Sequence, residues 1–188
     1  MELLEALQRR RAVRAYSPRP IDEVTVRKLL HAAVLAPSAM NAQPWVFAIV
    51  QDRAKLKRYS DGAKALLLAS APDAKARHYE AVLRNEDFNV FYDASTLVVI
   101  GAERREPYTE ADSWLAAENL MLAACDAGLG TCPIGFAVGF LNTPEAKEEL
   151  GFPSTGVVVA PIIVGYPASE VPAVARREPR ILSWTNPA

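Results

Sequence analysis

Guanidinium groups are the densest chemistry in this chain. Arg9, Arg10, Arg11, Arg14 and Arg19 crowd the N-terminus against only Glu2 and Glu5. Arg10, Arg11 and Arg14, in the run RRRAVRAYSPRPI, can each donate paired, charge-assisted hydrogen bonds, which is the chemistry that holds a phosphate. A solvated face on a fraying helix would use the same residues. Arg176 and Arg177 form a second basic pair, which could equally be a basic tail, and no lysine or arginine occurs between 106 and 146. Two local clusters in a chain with 21 Lys+Arg and 22 Asp+Glu suit a local anion site rather than a polyanion surface.

Two further segments carry polar or close-approach chemistry. The run APSAMNAQPW (36–45) places Ser38, Asn41 and Gln43 between Pro37 and Pro44. A hydroxyl and two carboxamides on a stiffened loop can hydrogen-bond the rim of a heterocycle, and they also suit ordinary turn chemistry. The run GLGTCPIG (128–135) lets backbone approach a flat ligand, because its glycines lack a Cβ; a helix C-cap followed by a tight turn reads the same way.

These segments need elements to hold them. Asp22 caps a predicted helix over 22–36, with Val26, Leu29, Leu30, Ala33 and Val34 at helical spacing and Pro37 as the stop. The stretch 112–127 is apolar nearly all round, so it belongs in a core or a subunit interface, and Gly128 terminates it. Thr143-Pro144 reads as an N-cap with proline at the first helical position, followed by 145–150. A weaker helix is read over 73–85. Strands are predicted at 45–50, 96–102 and 157–166, apolar runs bounded by breakers. Helices outnumber strands, which gives an α+β or α/β pattern. No repeat or linker is evident, so residues 1–188 read as a single domain. The proline-rich stretch 168–188 reads as an extended arm able to wrap a neighbour.

Composition excludes several classes. Of 188 residues 51% are hydrophobic and 23% charged, enough to bury a core, and the net charge is -1. The apolar run 155–168 is broken by two prolines and two glycines, short of the roughly 20 apolar residues a membrane span requires. The start MELLEALQRRR is basic and amphipathic with no secretory h-region, so a cytoplasmic location is expected. Two cysteines and two histidines exclude a disulfide scaffold and the usual four-ligand zinc site. Cys125 reads as a small core residue. Cys132, in the glycine-rich turn, could be exposed, and it has no histidine nearby to activate it. Pro133 occupies the third glycine position of a dinucleotide fingerprint, and the run follows a helix rather than a strand, so a Rossmann site is not expected.

Taken together and in this order, the segments resemble the nitroreductase family of FMN-dependent oxidoreductases. The likeness runs nearly full length, from RRxxR through APSxxNxQPW, FYDAS and GLGTCPIG to VGYP, a basic pair and Trp184. It implies an α+β sandwich, a central and mostly antiparallel sheet flanked by helices, in an intertwined homodimer with FMN at the subunit interface. By position, Arg10, Arg11 and Arg14 would hold the phosphate and ribityl chain, with Arg10 also near the flavin pyrimidine edge. Ala12 stands where most members carry serine, which leaves only its backbone. Pro37, Ser38, Asn41 and Gln43 would reach the flavin from the other subunit. Pro133, Ile134 and Gly135 would pack along the isoalloxazine, Arg176 or Arg177 would meet the phosphate, and Asp87 or Asn89 a further contact. The implied activity is a ping-pong, two-electron reduction of nitroaromatics, quinones or similar acceptors by NADH or NADPH, with no obligatory catalytic side chain and no metal. Related activities are reductive dehalogenation and flavin fragmentation, which depend on a lid; here 60–89, with Lys64, Arg77, His78 and Tyr79, is the candidate. A flavin-binding protein without turnover is the non-enzymatic alternative.

Overall fold

The computed structural model describes residues 1–69 and 74–185, except for the side chains of 74–78. Among them lie seven α-helices, a short 3-10 turn and four strands. In chain order these are α1 Leu3–Arg9, α2 Glu23–Ala33, the turn Ala39–Asn41, β1 Trp45–Val50, α3 Arg53–Ala69, α4 Ala74–Arg84, β2 Thr96–Ala102, α5 Thr109–Asp126, β3 Gly130–Pro133, α6 Gly135–Leu141, α7 Pro144–Leu150 and β4 Val157–Gly165. The sheet runs β1-β2-β4-β3, and every pair is antiparallel. The α+β expectation holds.

Period-two alternation sends each strand's side chains to both faces, and helices cover both. Val98, Ile100, Ile162 and Val164 join α2 and α5 in one core. Leu97, Val99, Val158 and Ile163 join α3 and α6 in the other. Both central strands are therefore buried along their whole length. Val159 is an extra residue in β4: Ile100 pairs with Ala160 and Gly101 with Val158. This bulge lets Val157 and Val159 face the same core as Ala160 and Ile162.

Local signals worked where side chains satisfy helix ends. Asp22 accepts from the Thr25 amide at 2.7 Å, and Thr143 Oγ1 from the Ala146 amide at 3.3 Å. The predicted 22–36 helix ends earlier, at Ala33, and turn bonds carry the chain to Ala36. The 112–127 helix begins earlier, at Thr109. Two expectations are corrected. The glycine-rich run is an edge strand, β3, and its Cys132 is buried at 2% exposure, whereas Cys125 is the half-buried thiol. Burial pushes the Cys132 thiol pKa up, the wrong direction for a nucleophile. After the bridge between Tyr16 and Pro167, residues 168–185 carry no regular element and end with Leu182 and Trp184 exposed.

Candidate functional site

The arginine segment leaves α1 and runs beside β3. Ala12 bridges Thr131 in parallel, and the Val13 amide donates to the Thr131 carbonyl at 2.9 Å. This pairing positions the guanidinium groups. Arg10 and Arg11 line a cleft of about 580 Å³ with Arg9, walled by Gly128 to Thr131 and by Ser169 to Ala173 of the arm. Arg10 Nε donates to Glu118 Oε1 of α5 at 3.1 Å. Arg11 donates from one terminal nitrogen to the carbonyls of Gln8 and Arg10. Its Nε is buried with no hydrogen-bond partner among the described residues. A buried donor on a charged group is costly to leave unmet, and an anion in the cleft would meet it. Gly128 has nothing within 4 Å of where a Cβ would stand, so the cleft floor there is open.

Arg14 reaches a second, adjacent cavity of about 470 Å³, whose wall includes Pro133, Ile134, Gly135, Phe136 and Tyr92. The Arg14 guanidinium lies 6.0 Å from the Tyr92 ring centre. Gly135 is also open where a Cβ would stand. Tyr79 meets Phe136 edge-on at 5.3 Å, and Phe88 meets Tyr92 at 5.6 Å. Among the described residues its lining is thus apolar and aromatic, with one cation and no carboxylate.

The segment 38–43 sits elsewhere. Met40, Asn41 and Gln43 all have positive φ, 54°, 52° and 47°. Asparagine tolerates that region; for the other two it stores about 1–3 kcal/mol each. Ser38 Oγ accepts from the Gln43 amide at 2.9 Å, and Gln43 Nε2 donates to Asn41 Oδ1 at 3.1 Å. The loop hangs on Asp112, whose Oδ1 accepts from the Ala39 amide at 3.1 Å. Asp112 lies in the first turn of α5, and Cys125, in its last turn, lines the arginine cleft. Those thirteen residue steps of helix span about 20 Å. One chain therefore holds Pro37, Ser38, Asn41 and Gln43 at one end of α5 and the arginine cleft at the other. Arg176 and Arg177 lie farther along the exposed arm than Ala173 and do not line that cleft.

Lys64, read from sequence as available over the site, is not. It is 7% exposed and donates to the carbonyls of Asn85 and Phe88 at 3.2 and 2.8 Å. Asn89 is likewise engaged: its Nδ2 donates to Asp93, and its Oδ1 accepts from the Phe91 amide. Asp87 is exposed, its amide donating to Asn85 Oδ1. Arg77 and His78 lie outside the described side chains. Sequence reasoning missed Glu118 and Asp112. Both looked like ordinary positions in an apolar helix, and only their contacts across the fold reveal them.

Among the described residues, no helix is long and apolar enough to cross a membrane and no cluster of metal ligands forms. A model of the nitroreductase family matches residues 7–166. A protein of Archaeoglobus fulgidus, provisionally named NADH dehydrogenase/NAD(P)H nitroreductase, is 33% identical over 174 residues, 90% of this chain and 87% of that protein. The 5,6-dimethylbenzimidazole synthase of Rhodospirillum rubrum is 36% identical over 181 residues, 90% of this chain and 84% of its own. The crystal structure of a Bacteroides fragilis nitroreductase with bound FMN matches with a TM-score of 0.82 at 28% identity, covering 98% of each chain.

Proposed function

The chain belongs to the nitroreductase family, and from that premise we propose that it binds FMN and reduces nitroaromatics, quinones or similar acceptors with NADH or NADPH. The observation that carries this reading is the partnerless, buried Arg11 Nε in a cleft shared with Arg9 and Arg10. The donor set fits FMN: clustered guanidinium groups for a near-dianionic phosphate, and open glycine backbone at Gly128 and Gly135 for a flat ring system. When bound, FMN supplies two-electron chemistry between nicotinamide and acceptor.

The chain's own residues bind and orient. Arg10, Arg11 and Arg14 hold the phosphate and ribityl chain, with the Ala12 backbone beside them. Pro133, Ile134 and Gly135 line the ring's face. Arg10, tethered by Glu118, places positive charge where the reduced ring gathers negative charge. No side chain is assigned to proton transfer, since solvent can protonate the acceptor.

The site is completed by a second copy of the chain. Pro37, Ser38, Asn41 and Gln43 lie by Asp112, about 20 Å along α5 from Cys125 in the wall of their own chain's cleft. Two α5 helices crossing antiparallel about a two-fold axis bring each loop over the other's cleft. Trp114 and Leu115 on α5, 43% and 45% exposed, and Leu3 and Leu4 on α1, 66% and 72%, supply the apolar surface for that contact. The arm, with Arg176 and Arg177, then reaches a phosphate from the neighbouring subunit.

The test is a visible spectrum of the purified protein with the released chromophore identified. One FMN per chain, with NADH or NADPH oxidation on addition of a quinone, supports the reading. A colourless protein that takes up no added FMN overturns it. The synthase relative supports a second reading, a specialised flavin reaction, which would show as bound FMN without nicotinamide turnover.

A further inference from the structure

Two side chains that carry formal charge are buried among the described residues, Lys64 and Asp112. Lys64 has two carbonyls and Asp61 as partners. Asp112, 4% exposed, has no ion-pair partner among the described residues; its carboxylate faces the Ala39 amide, 73 residues away in sequence. The first turn of α5 supplies the dipole that makes a buried carboxylate tolerable there.

What this carboxylate holds is the strained loop. The other hydrogen bonds of 38–43 are internal: Gln43 amide to Ser38 Oγ, Gln43 Nε2 to Asn41 Oδ1, and the turn bonds from Asn41 to Ser38 and Ala42 to Ala39. The Ala39–Asp112 bond is the one hydrogen bond among the described residues that ties this loop to another element. Internal bonds fix a loop's shape, but only an external tie fixes its place. Met40 is 97% exposed, and Asn41 and Gln43 are exposed beside it. Left-handed backbone at three positions presents these side chains outward, where their only side-chain hydrogen bond among the described residues is the one between Gln43 and Asn41.

We propose that Asp112 is a positioning residue for the cofactor. Its carboxylate holds the 38–43 loop in the place from which Ser38, Asn41 and Gln43 meet the flavin of the opposite subunit. The inference rests on the FMN reading above. It adds a residue that touches no cofactor yet governs its retention, and it acts on the partner's site rather than its own.

Flavin titration of wild type, Asp112→Ala and Asp112→Asn tests it. FMN uptake by wild type alone decides the FMN reading. Given that uptake, Asp112→Ala should raise the FMN Kd about tenfold or more, as loss of a charge-assisted hydrogen bond does. Asp112→Asn keeps an oxygen acceptor for Ala39 and should stay within about threefold of wild type. Wild-type affinity in Asp112→Ala, or equal loss in both variants, overturns the proposal. The second measurement uses differently tagged chains, one Arg14→Ala and one Asp112→Ala, purified as mixed dimers. Action across the interface concentrates both defects in one site and leaves one tightly held FMN per dimer. Action within a chain spoils both sites; a mixed dimer holding no FMN overturns the proposal.

Discussion

Arg11→Met separates a binding arginine from a structural one, because the two roles predict opposite patterns. In the flavin-free protein the change removes two hydrogen bonds, to the Gln8 and Arg10 carbonyls. Both are charge-assisted but come from one part-exposed terminal nitrogen that water can solvate in their place, so together they contribute about 1.5–3 kcal/mol, while removing the partnerless Nε recovers about 1–3 kcal/mol, and the two nearly cancel. Stability without flavin should therefore stay within about 1 kcal/mol of wild type. Binding should suffer, because a charged hydrogen bond made on binding contributes about 1.5–3 kcal/mol, roughly 10- to 150-fold in the FMN Kd. Thermal melts with FMN at about 100 times the wild-type Kd read this directly. Wild type gains about 2.7 kcal/mol, and a variant 30-fold weaker gains about 0.9 kcal/mol. For a chain of this size the flavin-induced rise in Tm falls from about 5–11 °C to about 2–4 °C. A variant that melts several degrees lower without flavin, yet shows the full flavin-induced rise, would refute the assignment of this cleft to an anion.

Three further outcomes are expected. Arg14→Ala should weaken FMN retention by about 1.5–3 kcal/mol in a dialysis titration, and unchanged affinity would remove Arg14 from the site. Lys64→Met leaves the Asn85 and Phe88 carbonyls without their donor and should lower stability by roughly 1–3 kcal/mol in urea unfolding; a neutral result would mean water replaces the ammonium. Glu149 takes both terminal nitrogens of Arg58 at 2.7 Å, and this fork, with the Tyr59 hydroxyl, holds its carboxyl pKa at about 2, against an ordinary 4.5. A depressed carboxylate stabilises above its unfolded value, and that contribution is lost as pH falls from 4.5 through about 2. Glu149→Gln should thus have a lower urea midpoint than wild type at pH 7, the gap closing through that window. A gap that does not change with pH would refute the ion-pair account.

Much of the fold was legible because its signals are local. β1 and β2 match the predicted 45–50 and 96–102, each an apolar run between breakers, β2 buried throughout and β1 largely half-buried. What escaped depends on partners distant in sequence. β3 reads as a turn, with Gly130 and Pro133 at its ends, yet as an edge strand whose outer side meets only a single bridge from Ala12 to Thr131 it tolerates a proline at its end. α6 has two glycines in seven residues, GFAVGFL, a poor intrinsic helix former. Tertiary packing decides it: a Cβ at Gly62 of α3 would lie 2.2 Å from the Phe140 ring of α6, so glycine is what lets the two helices close. At the site, the motifs carried residue types but not neighbours. Nothing in RRRAVR says which guanidinium nitrogen lacks a partner. Nothing around Asp112 says that it reaches Ala39.

The distribution of unfavourable features is itself informative. Elsewhere, charge meets its partner: Lys64 finds two carbonyls, and Glu149 a guanidinium fork and a phenol. Near the motifs, among the described residues, the same chain leaves a guanidinium nitrogen unmet, buries a carboxylate without a cation and holds Met40 and Gln43 in left-handed backbone. Each feature costs stability in the isolated chain, and each lies with the site motifs, as do the left-handed Tyr92 and Asp93 of FYDAS and the unmet Ser95 and Ser113 hydroxyls. They share one physical sense. A donor already desolvated, a loop already bent and a tether already made spend their ordering cost at folding, so a ligand that arrives meets groups that need not reorganise. The same preorganisation explains why the loop and the cleft can afford to sit at opposite ends of α5. In the proposed dimer, rigidity at both ends would let a two-fold axis, rather than a flexible linker, bring them into register.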